Sequence, residues 1–320
     1  MRSPRPLSLS SLRTVPLSER KKDCDERDFG APYRGGGVLS DFLCSLPNLG
    51  AASDLFYLRD AIVAAYKNHH SVIVGCGGHV IAAGLSPLLC RLIEQKIITG
   101  LALTGDALLQ DVEVAFSGHT VGYKDRDLVT GSFGVTEETG KLINDAINFA
   151  AIENLGIGKS VGQHLIDAGL RHLDHSVVAT ACRYGIPITV HPVIGADAFN
   201  LHPLAHGESL GAAGMRDFRL LAGMMAESSG GVLLNVASGV VLPRVFLQAV
   251  DAARNLGKTI ENLNTAMIDP SVNGVAVGDV VGRLSQLGGK GYWLQGSREI
   301  LLPLLFAAVL DVLGGDFDAQ

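Results

Sequence analysis

Aromatic residues are scarce in this chain of 320, at 6% with a single tryptophan, and no stretch is strongly basic: 26 Lys and Arg face 32 Asp and Glu, a net charge of −6. A surface that stacks bases or neutralises a phosphate backbone needs both missing ingredients, so a nucleic-acid role has no electrostatic support and no such partner is expected. The five cysteines, Cys24, Cys44, Cys76, Cys90 and Cys182, form no CxxC pair and no zinc spacing, and read as reduced thiols. A long apolar run is also missing. The most apolar stretch, residues 300–313, is shorter than the ~20 residues a spanning helix needs and contains Pro303, so no membrane partner is expected. No signal-peptide core is present, and the expected location is cytoplasmic.

What is abundant is apolar and small. Hydrophobic residues make up 47% of the chain and glycine occurs 39 times, enough for a large buried core with many tight connections. The first residues differ from the rest: Arg2, Arg5 and Arg13 lie among Ser and Pro with no acid before Glu19, and residues 19–28 are densely charged. That composition fits a transit peptide, a disordered tail or an upstream start codon. The expected organisation is a flexible tail over 1–40 and a single domain over 41–320.

Residues 72–115 organise the remainder. An apolar run, 71–75, ends in Gly75-Cys76-Gly77-Gly78-His79, after which Val80, Ile81, Leu85, Leu88, Leu89, Leu92 and Ile93 recur at helical spacing. A second strand over 97–103 exits through Thr104-Gly105-Asp106-Ala107 into a helix over 108–116. Glycine turns between strand and helix let a ligand approach the backbone closely, and helix starts attract anions. The turn is not the GxGxxG dinucleotide fingerprint, and it reads equally as a tight connection where nothing binds.

Further along, Ser53 can cap a helix over 54–68, residues 117–134 form a charged, glycine-containing loop, and helices follow over 136–155, 159–170 and 175–184. Strands are expected over 186–190, 230–236, 259–268 and 291–294, with helices over 213–228, 243–256 and 297–313 and a loop over 272–289. Alternating strands and helices imply an α/β fold with a doubly wound, mainly parallel Rossmann-like sheet. After the 186–190 strand, His191, Asp197, His202, His206 and Glu208 crowd one loop. They could bind a metal, move protons or fill a polar loop; their spacing matches no helical zinc motif, and no metal is expected.

The order of segments, 71–85, 104–113, Ile186-Pro187 with its Asp-containing loop, Ala237-Ser238-Gly239-Val240-Val241 and 299–308, resembles the deoxyhypusine synthase superfamily and the related NAD-binding LOR/SDH domain of ornithine cyclodeaminases. The likeness spans about residues 72–310. It implies a Rossmann-like fold, NAD held between subunits of a homotetramer, and lysine-dependent aminobutyl transfer or amine oxidation. By that resemblance Gly75, Gly77, Gly78, His79, Thr104, Gly105, Asp106, Ser238 and Gly239 would line the NAD site. Asp111 falls on an acid of the family's TAGGxxED turn, and Asp197 lies near its loop aspartate. The chain also departs from the family. Gln110 replaces the preceding acid, Ala237-Ser238-Gly239 replaces a triple glycine, and Leu242-Pro243 replaces a lysine-histidine pair. Arg283 stands near the imine-forming lysine, and an arginine cannot be deprotonated to attack a carbonyl. Lys290 is the nearby lysine that could substitute.

The expectation is an NAD-dependent enzyme that acts on an amine or amino acid by hydride transfer, with Asp197, His202, His206 or Lys290 as catalytic groups. The alternatives are an NAD-assisted amine transferase and a non-catalytic nucleotide-binding protein.

Overall fold

The computed structural model describes residues 6–121, 129–131, 136–270 and 274–317. Short, mostly apolar runs form the strands β1 (Val72–Cys76), β2 (Gly100–Thr104), β3 (Ile188–His191), β4 (Val232–Val236), β5 (Asn264–Asp269) and β6 (Gly291–Gln295). They build one six-stranded sheet in the order β3-β2-β1-β4-β5-β6. Every neighbouring pair is parallel, with Val74 opposite Leu101 and Leu234 across the centre. Every residue of β1 and β4 is buried, as a parallel sheet covered on both faces requires.

α1 (Leu39–Ser45) and α2 (Gly50–Lys67) precede β1; α3 (Gly78–Ala82), α4 (Ser86–Glu94), α5 (Gly105–Ser117), α6 (Glu137–Glu153), α7 (Ile157–Ala168), α8 (Val177–Arg183), α9 (Gly207–Ala226) and α10 (Val241–Asn255) lie between strands, where parallel pairing needs crossovers; and α11 (Arg298–Phe317) follows β6. Alternation along the strands divides the core in two. Val72, Val74, Leu101, Leu103 and Leu234 point into the larger cluster with α2, α4, α5 and α11. Ile73, Ala102 and Leu233 point the other way, onto Leu221 and Met225 of α9 and Phe246 of α10. This is the doubly wound, Rossmann-like α/β architecture.

Several elements differ from the sequence reading. The helix after β1 is two helices, because Gly84 adopts φ +75° between α3 and α4. α2 begins at Gly50, three residues ahead of Ser53, which lies inside the helix. The expected strand over 97–103 is shorter: Ile97 and Ile98 are buried in the connection, and β2 starts at Gly100. The expected loop over 272–289 is largely helical in its described part, with Gly274–Val277, a π-helical turn Gly278–Arg283 and a 3-10 turn Leu284–Leu287. Ala276, Val280 and Leu284 are all buried at a spacing of four, and this helical stripe is masked in the sequence by surrounding glycines. Residues 122–128 and 132–135 of the charged loop lie outside the described residues.

Candidate functional site

The strand order reverses between β1 and β4, and in open parallel sheets the crevice beyond the strands' carboxyl ends at such a reversal is where ligands bind. Two turns meet there. β1 runs through Gly77 into α3, and β4 runs through Ala237-Ser238-Gly239 toward α10. The Gly77 N–H donates to Val236 O at 3.0 Å, and a Cβ on Gly77 would fall 1.9 Å from Ala237 O, so only glycine permits this approach. Ala237 pays sterically for the same turn, with φ +54°. Below it, Asn235 Nδ2 donates to Ser238 O at 2.7 Å, and the Leu242 N–H donates to Ser238 Oγ at 3.2 Å. Asn235 Oδ1 is buried with no hydrogen-bond partner among the described residues.

The exit of β2 adds the polar wall. Thr104 caps α5, its Oγ1 accepting the Ala107 N–H at 3.2 Å. Asp106 turns back over the first turn: a Cβ on Gly78 would sit on Asp106 Oδ2, which accepts from Gln110 Nε2 at 3.0 Å. From the loop after β3, Asp197 reaches the same place. Its carboxylate presses on Gly105 and accepts the Val193 N–H at 2.6 Å and the Asp106 N–H. Burial, reinforced by the negative charge of Asp106, pushes Asp197 up to about 6. One carboxylate that holds and releases a proton near neutrality thus faces another across a glycine turn.

Gly77, Gly78, Gly105, Asp106, Asp197, Ser238 and the adjoining Gly239 therefore converge, while other expected site residues do different work. Gly75 lies within β1, where a Cβ would fall 2.6 Å from the Phe246 ring; it makes room for a core phenylalanine, not for a ligand. Asp111 is wholly buried and caps α8, accepting from Ser176 Oγ at 2.5 Å, Val177 N at 2.7 Å and Val178 N at 3.2 Å. Burial pushes it up to about 6. His79 is exposed on α3. His202 packs its ring against Gly140 of α6 and accepts the Leu204 N–H at Nδ1, and His206 is exposed at the start of α9. Lys290 immediately precedes β6 at the opposite edge of the sheet, its Nζ 5.2 Å from the Tyr57 ring centroid. A strand's length, roughly 17 Å at ~3.3 Å per residue, separates that edge from the crevice, so Lys290 is not part of it in this chain.

The residue the sequence reading passed over is Asn235, whose signal was a polar residue inside an apolar strand; the strain at Ala237 was signalled by its standing where the resembled family has a glycine. Asp269 also ends at this edge, buried at the end of β5.

No family model and no curated protein matches the chain. Solved structures do. The chain superposes on a conserved protein described as LOR/SDH from Methanococcus maripaludis S2 with a TM-score of 0.51 and 14% identity, covering 88% of this chain and 73% of that one. AgrE in ternary complex with ornithine and NAD+ gives a TM-score of 0.54 and 15% identity over 82% of this chain, which spans only 33% of AgrE. A protein described as a deoxyhypusine synthase from Entamoeba histolytica gives 0.54 and 12%, covering 88% and 96%. The class so defined is the Rossmann-like α/β fold. Within it, the chain has the particular fold that LOR/SDH and deoxyhypusine synthase-like structures share.

Proposed function

We propose that the chain is an NAD-dependent enzyme that removes a hydride from an amine or amino acid, or in the reverse direction returns one to the corresponding imine, with the cofactor in the β1–β4 crevice. The observation that carries this is the position of Asp106: an acid just beyond the end of β2, against Gly78 of the first turn, in a sheet of order 3-2-1-4-5-6. In dinucleotide-binding folds an acid so placed accepts a hydrogen bond from the adenosine ribose, and the first glycine turn lets the backbone meet the pyrophosphate. When bound, NAD supplies the hydride acceptor. Asp106 orients the ribose, the turns of Gly77, Gly78, Ser238 and Gly239 hold the phosphates, and Asp197 takes or returns the substrate proton. Its raised affinity for a proton suits that exchange. The substrate class is supported by AgrE, crystallised with ornithine and NAD+. Transfer through an imine on Lys290 is not supported, because that lysine stands at the other edge of the sheet. We further infer a cytoplasmic homotetramer.

Isothermal titration with NAD and NADP tests the reading. Asp106 repels a ribose phosphate, so NAD binds at least about tenfold more tightly than NADP, and Asp106→Asn narrows the gap. Amines and amino acids are then screened for reduced-cofactor absorbance. If the folded protein binds neither dinucleotide, the proposal fails.

A further inference from the structure

A second cleft lies along the outer side of α10, between that helix and the turns 278–287. It has a volume of about 520 Å³ and is lined by Arg244, Arg254 and Arg283 over an apolar floor that includes Leu247 and Leu284. Beneath it is Asp279, whose side chain is only 5% exposed. Arg283 Nη1 donates to Asp279 Oδ1 at 2.9 Å, and Arg244 Nη2 lies 3.7 Å from Oδ2. One buried carboxylate thus draws together guanidinium groups from two separate elements. Both arginines remain more than half exposed, at 57% and 62%, and each guanidinium has five N–H donors, most of them not used on Asp279.

The charge does not cancel. With Arg254 added and Asp251 the acid in the lining, the cations outnumber the acids even when Asp279 is counted. Arg244 of α10 and Arg283 of the π-helical turn are held side by side by the same buried carboxylate, against the repulsion between their own charges. Planar guanidinium forks above a concave, partly apolar floor match the multidentate, tetrahedrally arranged oxygens of a phosphate, and the volume is in the range of small-molecule sites.

We infer that this cleft binds a phosphorylated small molecule through Arg244, Arg254 and Arg283. The inference does not rest on the dinucleotide reading of the β1–β4 crevice. Inorganic pyrophosphate titrated into the full-length protein at low ionic strength is the test. Saturable binding to one site per chain is expected, undiminished when NAD is present. Arg244→Gln and Arg283→Gln should each weaken it by about tenfold, as loss of a charge-assisted hydrogen bond does. Arg254→Gln, at a residue that is not one of the Asp279 ion-pair partners, should weaken it without altering the melting temperature. Pyrophosphate affinity unchanged in all three variants would overturn the inference. Displacement of pyrophosphate by NAD would also overturn it, by assigning the phosphate to the crevice. A protein that ignores pyrophosphate but sediments with phosphatidic acid vesicles would replace the small molecule with a lipid headgroup, which is equally against the proposal.

Discussion

Ala237 holds a left-handed backbone, φ +54°, which costs a residue with a Cβ about 1 kcal/mol and costs glycine nothing sterically. Its carbonyl also blocks any side chain at Gly77. Two opposite outcomes follow. Ala237→Gly relieves the strain and should raise unfolding stability, but by no more than about 0.5 kcal/mol, because the greater freedom of glycine in the unfolded chain offsets much of the gain. Gly77→Ala drives a methyl into a fixed backbone oxygen and should cost about 2–3 kcal/mol. Denaturant midpoints of the two variants read both signs. If Ala237→Gly destabilises instead, the turn is not strained and its shape is set elsewhere. The glycines and Asp106 are legible in the sequence because turn chemistry is local. Which glycine lines the crevice and which makes room for Phe246 is not, because the contact that decides it comes from a helix far along the chain.

Asp111 shows the same limit for a whole element. In sequence it is an acid in the helix that follows a glycine turn, close to an expected site; in the fold it sits one turn too deep and spends its carboxylate on the start of α8. Ser176 adds to that cap, its Oγ accepting the Ala179 N–H at 3.0 Å. Asp111→Ala leaves buried donors of α8 unpaired and should cost about 2–4 kcal/mol in urea unfolding, with dinucleotide affinity per folded molecule unchanged. Asp111→Asn keeps an acceptor and should lose less. A variant that unfolds like the wild type but fails to bind NAD would restore Asp111 to the site. Periodicity finds most of the strands and helices within a few residues of their ends. It misses the 276–284 stripe, where glycines dilute an apolar pattern that only packing against β5 makes visible, as when Thr265 Oγ1 donates to Val280 O at 2.7 Å.

At the scale of the molecule, alternation of strands and helices announces a parallel sheet, but the β3-β2-β1-β4-β5-β6 order does not follow from it, since right-handed crossovers permit several orders. The order matters for stability as well as for the crevice, because it leaves β3 at an edge. Asp217 of α9 closes that edge: its Oδ2 accepts the Val190 N–H at 2.8 Å and the Gly158 N–H at 3.1 Å, tying β3 to the start of α7. Burial pushes Asp217 up to about 7, above the usual carboxylate range, so the folded chain holds this proton more tightly than the unfolded one. Stability from Asp217 is therefore full below about pH 4 and is lost as pH rises through about 7. Asp111 and Asp197, both near 6, act in the same direction at lower pH. His191, lowered to about 4 by burial, opposes them, because below its ordinary value the unfolded chain gains the proton. Subtracting the stability curve of Asp217→Asn from that of the wild type isolates one group from the others. The difference should change against the wild type by at most about 1.4 kcal/mol per pH unit as pH rises toward about 7, then flatten. Urea unfolding of both proteins across that range measures it. Parallel curves between about pH 4 and 7 would mean that Asp217 is ionised in the fold throughout that range, held so by the amides of α7 and β3, and that the edge is closed there by a carboxylate rather than by a carboxylic acid.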